Sequence, residues 1–223
     1  MSYTPLPEIF LEDLKRSGPG AGVELGCGEG RFTRLLTAAG ARPVCLDRRA
    51  AWAGTIADVV ADARSLPLRE ASVSLLVAAG LLRHLWPLPG GLACPTDWIR
   101  CLAPGGALWI FEDEPLSHPP AARHFRDAMA FLARVAPDVR RPLLPLATFR
   151  RRWRANAPGQ WRHGCAMNEF APDDVEVLAS LLEGEHGSTD SPGARLAAAI
   201  RRDGLSYGHY WWARLERPRE DQA

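Results

Sequence analysis

The sequence predicts an α/β fold in which helices cover both faces of an open, doubly wound, mostly parallel sheet. Apolar runs that suit strands alternate with segments of helical periodicity, at the spacing of βαβ units. Ser72–Gly80 is a continuous apolar run, as expected of a central strand buried on both faces. Strands also end in or near acidic residues, namely Glu24, Asp47, Asp62 and Glu112. Because the carboxyl ends of parallel strands meet at one edge, these acids should share a rim where ligands bind.

The first strand leads directly into a glycine-rich loop. Residues 23–32 read V-E-L-G-C-G-E-G-R-F, with an acid two residues before the first glycine. Glycine tolerates positive φ and has no Cβ, so the loop backbone can turn sharply and approach a ligand closely. A helix predicted over 31–39 directs its N-terminal N–H groups at the same place. The combination predicts a site for a small polar ligand.

The other elements follow from periodicity and from glycine and proline breaks. A first helix is predicted over 5–16, with Glu12 and Asp13 facing outward. A later helix over 172–183 has an apolar side made by Val175, Val177, Leu178, Leu181 and Leu182. The remaining predicted segments are strands at 42–47, 57–61, 107–112, 161–167 and 207–215, and helices at 95–102, 119–136, 148–153 and 193–202.

Composition excludes several functional classes. The net charge of +1 gives no general attraction to nucleic acid or membranes. Five cysteines without a C-x-x-C pair argue against a disulfide framework or a metal site and predict reduced thiols in the cytoplasm. No apolar run approaches the roughly 20 residues that span a bilayer. Arginine replaces lysine almost everywhere, which indicates the GC-rich codon usage of many bacteria.

Four motifs in order resemble the class I S-adenosylmethionine-dependent methyltransferases. The first is E-L-G-C-G-E-G at 24–30, whose glycine spacing differs from the G-x-G-x-x-G of dinucleotide-binding proteins. The second is the acid that ends C-L-D at 45–47. The third and fourth are D-A-R-S-L-P-L at 62–68 and L-A-P-G-G-A-L at 102–108. The resemblance implies a Rossmann-like, seven-stranded sheet with an antiparallel final strand, and S-adenosyl-L-methionine as the cofactor.

The family resemblance also assigns residues to the cofactor. It implies that the glycine loop holds the methionine part, that Asp47 accepts both ribose hydroxyls, and that Asp62 accepts from the adenine amino group. Small residues at the end of the fourth strand would line the sulfonium. The residues implied to bind the cofactor are Glu24, Gly26, Cys27, Gly28, Gly30, Asp47, Arg48, Asp62, Ala63, Ala78 and Ala79. His84, as a base or an acceptor-orienting group, and Glu112, as an acid that faces a cationic acceptor, are the candidate catalytic residues.

The methyl acceptor is predicted to be a small molecule. Residues 1–115 would bind the cofactor and 116–223 would form the acceptor side of one domain, with a helical insertion near 172–202. The segment 140–163 holds eight arginine or histidine residues and no acid, which leaves an RNA or protein acceptor open. Two further alternatives stay open: a scaffold protein without catalysis, and non-methyl chemistry on the same cofactor.

Overall fold

The computed structural model describes residues 6–18, 22–52, 54–88, 94–115, 120–137, 141–153, 160–168, 172–184, 191–205 and 208–219. The strands are β1 Gly22–Leu25, β2 Val44–Asp47, β3 Val59–Val60, β4 Val73–Ala79, β5 Leu102–Glu114, β6 Gln160–Asn168 and β7 Gly208–Glu216. The helices are α1 Glu8–Ser17, α2 Arg31–Ala38, α3 Leu82–Leu85, α4 Cys94–Cys101, α5 Pro120–Val135, α6 Leu146–Trp153, α7 Pro172–Gly184 and α8 Pro192–Asp203.

One seven-stranded sheet runs in the order β3-β2-β1-β4-β5-β7-β6. The pairs β3–β2, β2–β1, β1–β4 and β4–β5 are parallel. At the start of β5 the Gly105 N–H donates to the Arg217 carbonyl, and the Arg217 N–H donates to the Gly106 carbonyl. This exchange between chain segments running in opposite directions makes β7 antiparallel. The predicted fold class, a mostly parallel sheet with an antiparallel final strand, is therefore confirmed.

Compact contacts divide the chain into two units, and residues 6–112, 146–164 and the chain from Trp211 onward form the larger one. Its core on one side of the sheet is aromatic. Phe10 of α1 meets the rings of Trp109 and Phe111 edge-on at 5.1 and 5.2 Å, and Phe32 of α2 lies 5.0 Å from Phe111. These contacts hold both helices that flank β1 and the glycine loop.

A buried ion pair lies beside this aromatic cluster and corrects the prediction that Asp13 faces outward. Asp13 is only 3% exposed. Its Oδ2 accepts from Trp109 Nε1 at 2.8 Å and from Arg214 Nε at 2.6 Å, and its Oδ1 accepts from Arg214 Nη2 at 3.1 Å. The carboxylate therefore joins α1 to two strands of the sheet.

The smaller unit comprises 113–145 and 165–210 in its main part. Its core consists of apolar residues of α5, α7 and α8, among them Phe125, Leu182 and Ile200. The predicted helices are present, but Val177 and Leu181 of α7 are 50% and 39% exposed, so the apolar side predicted for this helix is only partly buried. The single domain with halves at 1–115 and 116–223 stays a prediction.

Three findings concern what the described residues lack. None of the helices in the described ranges is long and apolar enough to cross a membrane. The same ranges contain no cluster of histidine, cysteine and acidic residues that would hold a metal ion. All five cysteines are free thiols, and only Cys165 is exposed.

Candidate functional site

The glycine loop after β1 has the conformation that its sequence predicts. Gly26, Gly28 and Gly30 have φ values of +69°, +51° and +71°, a region that side-chain-bearing residues rarely adopt. A Cβ on Gly26 would lie 2.6 Å from a methyl of Leu81, and a Cβ on Gly30 would lie 2.8 Å from one of Ile56. Both the backbone angles and the space therefore require glycine at these two positions.

Asp47, at the end of β2, fastens this loop to the sheet. Its Oδ2 accepts a hydrogen bond from the Gly28 N–H at 2.9 Å, and its Oδ1 accepts one from the Arg49 N–H at 2.9 Å. A carboxylate has about four acceptor positions, two on each oxygen. Each Asp47 oxygen therefore keeps one acceptor position for a ligand, an arrangement that suits two neighbouring hydroxyl groups.

Glu24 lies beneath the loop and is 2% exposed. Its Oε2 accepts a hydrogen bond from the Thr33 hydroxyl of α2 at 2.7 Å. Burial raises the pKa of Glu24 to about 7, and the nearby Asp47 charge adds to the increase, while the Thr33 hydrogen bond opposes it. The carboxyl group is thus close to its titration point at neutral pH and will ionise more readily when a cation approaches.

Cys27 of the loop and Cys45 of β2 form a small buried cluster with Ala57, against which Ile56 packs. The Cys45 thiol lies 4.0 Å from Glu24 Oε2. Hydrogen bonding with Cys45 and burial raise the pKa of the Cys27 thiol, so Cys27 stays protonated. Cys27 therefore packs as a protonated thiol in this buried cluster.

The Glu24 pKa predicts a specific pH dependence of stability. The folded-state pKa lies above the ordinary value of 4.5, so the folded protein holds an extra proton between pH 4.5 and about 7. The stabilisation is complete below pH 4.5 and is lost as the pH rises through about 7. Glu24→Gln should remove this slope, and at pH 8 the variant should be more stable than the parent by on the order of 3 kcal/mol.

Urea unfolding between pH 4.5 and 8 would measure the Glu24 effect. Glu29→Gln is the matched control, because its side chain is 64% exposed in the same loop. It should leave the pH profile unchanged. An identical slope in the Glu24→Gln variant and the parent would show that Glu24 does not titrate in this range.

Asp62 differs from Asp47, because Arg64 already donates to both of its carboxylate oxygens. Its Oδ1 accepts from the Arg64 backbone N–H at 2.9 Å and from Arg64 Nε at 3.1 Å. Its Oδ2 accepts from the same Nε at 3.0 Å and from Nη2 at 2.6 Å. The single Nε hydrogen is shared by both oxygens, so three N–H groups of Arg64 occupy most of the about four acceptor positions of Asp62. A ligand amino group would therefore compete with the Arg64 side chain for this carboxylate.

The turn that carries Asp62 is held in place by α4. The Trp98 indole N–H donates to the Ala63 carbonyl at 2.6 Å, and the Leu66 N–H donates to Asp97 Oδ2 at 2.8 Å. Trp98 is fully buried. The hydrogen bond from the Arg64 side chain is the main cause of the low pKa of Asp62. The charge of the exposed Arg48 lowers this pKa slightly further.

The end of β4 brings together the other predicted residues. Ala78 is fully buried and Ala79 partly buried, so the rim there carries no large side chain. Glu112 is also fully buried. Its Oε1 accepts from the Arg83 N–H at 3.3 Å, and its Oε2 lies 3.8 Å from Arg83 Nη1. Glu112 therefore anchors α3, which carries the partly buried His84.

Sequence reasoning did not identify Arg64 and Arg83 as partners of the predicted site carboxylates. Arg64 could have been suspected from the sequence, because a D-x-R spacing allows such a fork. The Arg83–Glu112 pair could not, since 29 residues separate the partners.

Comparison with known proteins identifies the domain that contains this site. Residues 23–110 match the family model described as a methyltransferase domain. No protein in a search of curated proteins matches the chain.

Several solved structures share the fold across nearly the whole chain. A protein from Anabaena variabilis, described as a methyltransferase of an antibiotic biosynthesis pathway, superposes with a TM-score of 0.60 at 13% identity, covering 95% of this chain and 99% of its own. A sarcosine dimethylglycine methyltransferase, as it is described, from Galdieria sulphuraria gives 0.54 at 15% identity, with 95% and 82% covered. The cyclase SpnF gives 0.57 at 15% identity, with 98% and 84% covered. At these identities the likeness shows the fold alone.

The family match covers residues 23–110, and the fold that contains this domain is Rossmann-like. The family resemblance that the motifs indicate is confirmed for residues 23–110, which match a methyltransferase domain, and the solved structures share the fold of the chain.

Proposed function

We propose that the protein binds S-adenosyl-L-methionine through the glycine loop and transfers its methyl group to a small-molecule acceptor. The observation that carries the proposal is the hydrogen bonding of the Asp47 carboxylate. Its carboxylate ties down the Gly28 N–H and keeps one free acceptor position on each oxygen, which suits the two ribose hydroxyls. The residues present therefore fit the cofactor that the family uses.

Glu24 and the glycines would hold the amino acid end of the cofactor. The cationic amino group would favour the ionised form of the Glu24 carboxyl group. Because the pKa of Glu24 is about 7, its ionisation costs little free energy at neutral pH. The bound cofactor supplies a methyl group on a positively charged sulfur, which departs as a neutral thioether. The chain itself then has to align the acceptor and exclude water, and alignment alone removes much of the barrier.

A general base is needed only when the acceptor is protonated on arrival. His84 remains our candidate for this role, because α3 follows directly on the end of β4. We assign Glu112 a positioning role, since its buried carboxylate binds Arg83 at the start of the same helix.

Calorimetric titration with S-adenosyl-L-methionine and with S-adenosyl-L-homocysteine tests the proposal. Binding of both ligands with micromolar affinity is the expected result. Absence of binding by either ligand would remove the enzyme hypothesis and leave a scaffold role. Detection of the homocysteine product in a screen of small acceptors would separate methyl transfer from other chemistry on the same fold.

Arg64 should compete with the adenine amino group for Asp62. The Arg64–Asp62 pair is about one-third exposed on both sides, 35% for each side chain, and such pairs contribute only about 0–1 kcal/mol. Arg64→Ala should therefore raise the affinity for S-adenosyl-L-homocysteine by about two- to fivefold, because the ligand no longer has to displace the guanidinium. Calorimetry measures the change.

Two controls sharpen the Arg64 experiment. Arg69→Ala removes the same charge at an exposed position and should leave the affinity unchanged. The inosine analogue of the ligand carries a carbonyl in place of the amino group and should gain nothing from Arg64→Ala. A tenfold loss of affinity in Arg64→Ala would instead mean that Arg64 itself contacts the ligand.

A further inference from the structure

A pocket on the larger unit lies between α6 and the first residues of β6. The side chains that line it have no role in the proposed methyl transfer. We name it the α6–β6 pocket. It is lined by Phe149, Arg150, Trp161, Arg162, His163 and Ala213.

The floor of the α6–β6 pocket is aromatic and firmly packed. Phe149 is 4% exposed and stacks on the fully buried Trp211 with ring centroids 4.8 Å apart. Trp161 meets Phe149 edge-on at 5.8 Å. Because these rings support one another, the floor keeps its shape without a ligand.

Two arginines lie at the rim of the pocket, and neither has a carboxylate partner among the described residues. Arg150, Arg162 and His163 are all exposed. Within the part of the chain that the structure describes, neither of these arginines forms an ion pair, whereas Arg64, Arg100, Arg201, Arg202 and Arg214 all pair with carboxylates. The segment from 140 to 167 contains no acidic residue at all. The charges of Arg150 and Arg162 are therefore not neutralised by any carboxylate among the described residues.

The size of the pocket selects among anions. Its volume is about 50 Å³, and a single water needs roughly 10–15 Å³ on this scale, so the pocket has room for a phosphoryl group. A phosphoryl group offers three acceptor oxygens and a charge of about −1.5 to −2, compared with two oxygens and one charge for a carboxylate. Guanidinium groups bind phosphate oxygens with charge-assisted hydrogen bonds.

We propose that the α6–β6 pocket is a phosphoryl-binding subsite, in which Arg150 and Arg162 donate to the phosphoryl oxygens. An apolar part of the ligand next to the phosphoryl group would rest on the Phe149–Trp161 floor. The subsite does not depend on methyl transfer, and it gives the arginine-rich segment a small-ligand role in place of the nucleic-acid role that its composition left open.

Calorimetric titration of the full chain with inorganic phosphate and with phenyl phosphate tests the subsite, with acetate at matched ionic strength as the reference anion. Both phosphates should bind more tightly than acetate. Arg150→Gln and Arg162→Gln should each weaken the binding by about tenfold, because each removes one charge-assisted hydrogen bond. Arg151→Gln is the matched control: Arg151 is exposed and adjacent to Arg150 but does not line the pocket.

The two phosphates distinguish the source of the phosphoryl group. Equal affinities would identify free phosphate as the ligand, and tighter binding of phenyl phosphate would identify the phosphoryl end of a larger molecule. Equal weakening by Arg151→Gln and Arg150→Gln would overturn the proposal, because it would show diffuse attraction and no defined site. Binding of a single-stranded RNA without binding of either phosphate would also overturn it.

Discussion

Replacing Asp47 by alanine should weaken the binding of S-adenosyl-L-homocysteine by at least 100-fold. The substitution removes the expected acceptor of two hydroxyl groups, and hydrogen bonds to a charged group contribute about 1.5–3 kcal/mol each. It also frees the Gly28 and Arg49 N–H groups that the carboxylate now binds, so the loop loses its fastening to β2. Calorimetry measures the affinity, and circular dichroism confirms that the variant folds.

Two further variants separate the ligand contact from the support of β2. Asp47→Asn keeps one oxygen for the Gly28 N–H but turns the other acceptor into a donor, so its loss should be intermediate. Asp58→Asn alters a carboxylate that accepts from the Cys45 N–H of the same strand at 2.8 Å, but it should leave the affinity unchanged. Wild-type affinity in a folded Asp47→Ala variant would refute the ribose contact.

The sequence predicted the frame of this site accurately because its signals are local. Glycine at 26, 28 and 30 reports the positive φ angles directly. The continuous apolar run over 72–80 identified β4 nearly to the residue. These features depend on the residue itself and its immediate neighbours, so no knowledge of tertiary contacts was needed.

The hydrogen bonds that each carboxylate already accepts from the protein could not be predicted in the same way. Asp47 and Asp62 occupy equivalent positions at strand ends, yet one keeps free acceptor positions and the other already accepts from Arg64 on both oxygens. The difference lies in the rotamer of one exposed arginine side chain. Surface rotamers are separated by little free energy, so the pattern of residue types carries no signal for them.

Long-range pairing caused the clearest error. Helical periodicity placed Asp13 on the solvent side of α1, but the residue pairs with Arg214, which lies 201 positions later in the chain. Val177 and Leu181 show the reverse error, because periodicity cannot reveal whether another element covers an apolar helix face. In both cases the outcome depends on what the fold brings to the helix.

The Asp13 pair should be the most sensitive structural point of the larger unit. Arg214 is 5% exposed, and Asp13→Ala would leave its charge and the Trp109 indole N–H without their buried acceptor. Breaking a buried pair in this way costs about 3–5 kcal/mol, although Glu216 at 2.7 Å compensates Arg214 in part. We therefore expect a loss of about 3 kcal/mol, which lowers Tm by about 10 °C for a chain of this size.

Urea and thermal unfolding would measure this loss of stability. Two further variants would identify its cause. Asp127→Ala breaks a pair with Arg126 whose side chains are 43% and 36% exposed, and it should cost less than about 0.5 kcal/mol. Replacing the whole pair, as Asp13→Leu with Arg214→Met, should recover most of the stability lost in Asp13→Ala, because the stranded charge disappears with its partner. If the double variant is no more stable than Asp13→Ala, the unpaired buried charge is not the cause of the loss. The result would show that the hydrogen bonds of the pair stabilise the protein by fixing the position of α1.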